Sequence, residues 1–84
     1  MMTTSLPTPQ VLIGPRSLDR RICRLMYVRE TDEVWAEEWS KRAWVRATVL
    51  VRHLLKAPTA PAATLKRRGI PNEPGEWDNE LACA

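Results

Sequence analysis

Trp35, Arg42, Arg46 and His53 follow one another at intervals of seven, four and seven residues, with Trp39 beside them. On a helix this spacing lines bases and indoles along one stripe. Such a stripe could track phosphates while the Trp faces stack on nucleobases. Further along, "TLKRRGIP" sets Lys66, Arg67 and Arg68 in a row before a glycine and a proline. The candidate nucleic-acid-binding residues are therefore Arg42, Arg46, Lys66, Arg67 and Arg68. Trp35, Trp39 and Trp77 are the candidates for anchoring a protein partner instead, since large aromatic side chains dominate interface energies. The plainer structural reading has Trp35 and Trp39 covering the edge of a thin core, with Arg stems packed over them.

Catalytic chemistry finds little support. His53 is the single histidine, and no ordered set of Ser, Asp or Cys partners accompanies it. Glu37 and Glu38 are adjacent and diverge on a helix, which suits salt bridges better than acid–base work. The chain carries no glycine-rich phosphate loop, zinc spacing or calcium loop. The expectation is a binding protein without catalytic residues, metal or cofactor. Cys23 and Cys83 are too few for a disulfide scaffold and read as free thiols in a reducing cytosol, with a terminal disulfide as the alternative.

Eighty-four residues with 44% apolar side chains fit one small domain with a modest core. The opening "MMTTSLPTPQVLIGP" lacks the basic and long apolar regions of a signal peptide, and no apolar run is long enough to span a membrane. The net charge of +3 conceals blocks: +3 over residues 1–30, −4 over 31–40, +8 over 41–72 and −4 over 73–84. Segregation of this kind gives either a basic face for an anionic partner or acidic segments folded back on the bases. Arg outnumbers Lys ten to three. Phosphate recognition would favour that bias, and so would a GC-rich genome.

Residues 17–57 contain no Gly, Pro or Asn, and this favours helices. Ser17 can cap a first helix bearing Leu18, Ile22, Leu25 and Met26 on one face. Thr31 can cap a second, with Asp32 and Glu33 in its first turn, Lys56 in its last and Pro58 beyond. Trp39, Ala43, Trp44, Ala47, Leu50, Val51, Leu54 and Leu55 share its apolar arc, and Leu50 and Leu54 lie at the middle. Pro61 can open a short third helix closed by Gly69. The expected fold is all-α: an extended arm at 1–16, a helical hairpin core at 17–57, a Pro/Ala joint with a short basic helix at 58–72, and an acidic tail at 73–84. The tail carboxylates are expected to reach back to the bases at 66–68.

The alternative is a β-meander or SH3-like barrel. In "AWVRATVLVR", Val45, Ala47, Val49 and Val51 alternate with Trp44, Arg46, Thr48, Leu50 and Arg52, and Ile22–Arg29 and Val34–Trp39 could pair with it. The run "EVWAEEWSKRAWVRATVL" resembles the strand–turn–strand core of small Tudor or SH3-like barrels, which would imply a peptide or nucleic-acid reader. Two tight turns lacking Gly and Asn weigh against it. Separately, "TLKRRGIP" resembles the end of a recognition helix in helix-turn-helix proteins, which implies contact of Lys66, Arg67 and Arg68 with DNA phosphates or bases. Together these features predict a small basic accessory protein of bacterial or phage type, non-enzymatic and cytoplasmic, binding nucleic acid through residues 41–68. The second reading is an adaptor or inhibitor that binds a larger protein through its Trp-bearing helix surface and acidic tail, with homo-oligomerisation possible.

Overall fold

The computed structural model describes residues 8–78. It overturns the all-α expectation: residues 17–57 form no helical hairpin. Four strands make one antiparallel sheet in the order β1-β2-β3-β4. They are β1 (Gln10–Leu18), β2 (Arg21–Val28), β3 (Glu33–Ser40) and β4 (Ala43–Ala47). Two short helices follow, α1 (Val51–Lys56) and α2 (Ala62–Arg68). The meander alternative describes the sheet better. It also placed Trp44 and Arg46 on the face opposite Val45 and Ala47, and the register agrees: Trp44 pairs with Trp39 and Val45 with Glu38.

The turns explain why the helical reading fails. Asp19 (φ 57°) sits in the two-residue β1–β2 loop, Asp32 (φ 57°) ends the β2–β3 loop, and Lys41 and Arg42 (φ 52° and 63°) form the β3–β4 loop. All four are left-handed. Asp tolerates that region better than most residues. Lys and Arg do not, yet both central residues of a type I′ hairpin turn, which matches strand twist, take positive φ, as Lys41 and Arg42 do. Sheet pairing supplies the free energy that holds them there.

The charge blocks also have a role in the sheet. Acidic β3 lies between two basic strands, so Glu37 stands opposite both Arg24 and Arg46. Arg24 bonds Glu37 at 2.8 Å and Arg21 bonds Glu38 at 3.2 Å. A helix would use the same order to match its dipole, so charge order alone does not separate the two folds.

Each face of the sheet is covered by a different helix. On one face Ile13, Cys23, Leu25 and Ala36 pack with Leu12 and with Leu54 of α1. On the other, Ile22 packs with Ala60, Leu65 and Ile70 around α2, flanked by Trp39 and Trp44. Two-sided burial removes the clean period of two from β2. Leu18 and Leu25 therefore serve one face and Ile22 and Met26 the other, although all four look like one helical stripe. Leu54, expected at the centre of an apolar arc, is fully buried, whereas Leu50 is 51% exposed.

The outer edge of β1 is closed. Ser17 donates its amide to the Pro58 carbonyl at 2.9 Å, and Ala60 donates to Pro15 at 3.0 Å. Asp78 Oδ2 accepts from the amide of Gly14 at 2.7 Å and from that of Gly75 at 2.8 Å. A Cβ at Gly75 would overlap the Leu12 carbonyl, so only glycine lets the tail cross the strand this closely. The segment expected as an extended arm thus supplies the buried residues Leu12–Pro15 of β1.

Candidate nucleic-acid interface

"TLKRRGIP" folds as a helix end with a specific lock. Gly69 adopts φ 71° just past α2. Its amide bonds the Lys66 carbonyl at 3.2 Å, and the Ile70 amide bonds the Leu65 carbonyl at 2.8 Å. This is a Schellman motif, and the usual apolar contact accompanies it, since Leu65 and Ile70 are buried in the same cluster. Both anchors press α2 onto the sheet. Lys66, Arg67 and Arg68, between the anchors, stay exposed.

Opposite that helix end stands the β3–β4 turn. The two elements enclose a cleft lined by Trp39, Arg42, Lys66, Arg67, Arg68 and Gly69. Four of the five basic residues singled out in the sequence therefore converge, although Arg42 and Lys66 are 24 positions apart in the chain. Trp39 reaches the cleft from β3 while its ring packs edge-on against Trp44, with centroids 5.2 Å apart.

Arg46 lies elsewhere. Its guanidinium covers the Trp35 ring at 4.4 Å, and the pair lines a shallow hollow with Thr48. Arg24 lies over Trp44 at 4.2 Å and holds Glu37, whose second oxygen accepts from the Trp35 indole at 3.0 Å. Sequence reasoning missed Arg24 and Trp44, because their roles come from cross-strand register and leave no local signal. The expected stripe of Trp35, Arg42, Arg46 and His53 does not form: only Trp35 and Arg46 meet, and His53 is exposed on α1. Trp77 is also separate, lying in the tail beside Asp78.

Among the described residues, the tail carboxylates do not reach the bases at 66–68. Asp78 pairs with Arg16 at 2.9 Å, Glu73 lies 3.6 Å from Arg24, and Glu76 contacts Arg29 and the Tyr27 hydroxyl. Glu80 and Cys83 lie outside the described residues. Burial raises the Asp78 carboxyl, but the amides of Gly14 and Gly75 and the Arg16 guanidinium outweigh it and hold the pKa below its ordinary value. Tyr27 is shifted up, chiefly by its hydrogen bond to Glu76.

The bases thus fall into two groups. Arg16, Arg21, Arg24 and Arg29 are paired with carboxylates. Among the described residues, no carboxylate lies within ion-pair distance of Arg42, Arg46, Lys66, Arg67 or Arg68, nor of Arg20, Lys41, Arg52 or Lys56, and of these nine the four at the cleft are Arg42, Lys66, Arg67 and Arg68. No helix among these residues is long and apolar enough to cross a membrane, and no three His, Cys, Asp or Glu side chains group as a metal site. Comparison of the chain with protein-family models, curated proteins and solved structures returns no match.

Proposed function

We propose that this is a non-enzymatic, nucleic-acid-binding accessory protein of bacterial or phage type, gripping phosphates in the cleft formed by Arg42, Lys66, Arg67 and Arg68. One observation supports the reading: these cations converge on a cleft without a carboxylate partner among the described residues, while the bases of β1 and β2 are neutralised internally. Concentrated, unpaired positive charge attracts a polyanion and releases its counterions on binding. A cytoplasmic setting accords with Cys23, buried as a thiol whose pKa burial raises.

The test is affinity for nucleic acid measured across salt concentrations. Alanine at Arg42, Lys66, Arg67 and Arg68 together should weaken binding and flatten the log–log salt slope by about 0.7–0.9 per lost phosphate contact. An unchanged slope in a folded variant would overturn the assignment.

A second reading, a protein adaptor, has its own observation. Val34, Val45, Leu50, Val51, Leu55 and the candidate Trp77 are exposed, and a protein partner or second copy would bury them. This differs from the surface expected from the sequence, since the described residues form no long Trp-bearing helix and Glu73, Glu76 and Asp78 are engaged internally. Light scattering of wild type and Leu55→Lys distinguishes self-association from a monomer.

A further inference from the structure

Resting on the nucleic-acid reading, we infer that the ligand is a single strand whose bases stack at two platforms, Trp39 in the cleft and the Arg46–Trp35 pair beyond it.

The shape of the cleft comes first. Its volume is about 310 Å³, bounded by the β3–β4 turn on one side and the end of α2 on the other. A slot between two elements accepts a splayed nucleotide. Duplex readout instead requires an element that projects into a major groove about 12 Å wide. Here α2 is seven residues long, and Leu65 and Ile70 fasten its last turn to the sheet. The turn that could serve as a probing ribbon forms the opposing wall.

The aromatic groups come second. Trp39 stands among the four cations, so an indole is available where the phosphates would be held. Trp35 and Trp39 lie on the same face of β3, four residues apart, which is roughly 13 Å along a strand. At the second platform the Arg46 guanidinium already lies over the Trp35 ring at 4.4 Å. Stacking on indole and guanidinium planes needs no particular base, so the binding is sequence-tolerant.

The charge between the platforms comes third. Of the carboxylates that would repel a strand there, Glu37 has its oxygens taken by Arg24 and the Trp35 indole. Glu73, beside Arg24, is more exposed, and Glu33 stands at the far end of β3, beyond Trp35. The track therefore runs from α2 toward Arg46 and stops short of Glu33.

The experiment is fluorescence anisotropy with short oligothymidylate, oligouridylate and a duplex of equal length, at low salt. Either single strand should bind roughly tenfold or more tightly than the duplex. Trp39→Leu keeps an apolar side chain against Ile22 and Leu65 but removes the ring; it should lower single-strand affinity by roughly tenfold and leave the salt slope unchanged. Trp35→Leu, at a site outside that cluster, should weaken binding in the same manner and serves if the Trp39 variant misfolds. Duplex binding equal to or tighter than single-strand binding overturns this inference and leaves the phosphate-gripping function standing. Unaltered affinity in both folded Trp variants also overturns it. Absence of binding to every probe overturns the inference and the proposed function together.

Discussion

Replacing Asp78 with alanine should destabilise the fold far more than its place near the C-terminal end of the described residues would imply. The carboxylate accepts hydrogen bonds from the amides of Gly14 and Gly75 and pairs with Arg16, all between 2.7 and 2.9 Å. Gly14 is buried, so its orphaned N–H would cost about 1–3 kcal/mol. The Arg16 side chain is 12% exposed and would lose this carboxylate partner, although it keeps a 2.8 Å bond to the Ala57 carbonyl. Breaking a fully buried pair costs about 3–5 kcal/mol, and this partly exposed one costs less. The expected loss is about 2–4 kcal/mol, against a total of roughly 4–13 kcal/mol for a domain of this size. Thermal unfolding followed by circular dichroism should show a drop of roughly 10–30 °C. The pH dependence follows from the depressed Asp78 pKa. Its contribution is complete above the ordinary carboxylate value and is lost as pH falls through the lower, folded-state value. Asp78→Asn should therefore lose less stability than Asp78→Ala at neutral pH and show a flatter decline in acid. A shift of less than about 2 °C for the alanine variant would refute the latch, because even the cheapest orphaned amide exceeds that.

Two substitutions one helical turn apart should diverge: Leu54→Asp buries a carboxylate in the β1–β2 core and should unfold the protein, while exposed Leu50→Asp should change stability by about 0.5 kcal/mol or less, as chemical denaturation would show. Lys41→Asn with Arg42→Gly should raise the melting temperature, because Asn-Gly suits two left-handed turn positions, yet it should weaken nucleic-acid binding by removing one cation from the cleft. A fall in both properties would show that Arg42 holds the hairpin together through contacts beyond its backbone.

Some of this protein was legible residue by residue. Local chemistry determined both ends of α2: Pro61 before it, Gly69 free to take positive φ, and Ile70 to close the motif all act within ten residues. Lys56 and Pro58 likewise mark the end of α1, and the alternation around Trp44 and Arg46 is a property of neighbours in the chain. The basic character of 41–68 was equally plain, since charge is carried by residue type. Other features depended on contacts between distant residues. Leu18, Ile22, Leu25 and Met26 fit a helix as well as a strand, and only the arrival of α1 on one face and α2 on the other makes both faces of β2 buried. Lys41 and Arg42 are poor left-handed residues, so their turn exists because β3 and β4 pair, and its stabilisation is non-local. The acidic tail had two basic blocks within reach. Packing assigned its described carboxylates to Arg16, Arg24 and Arg29, because glycines at 14 and 75 let it lie against β1, and that choice leaves the cations of the cleft without a carboxylate partner among the described residues.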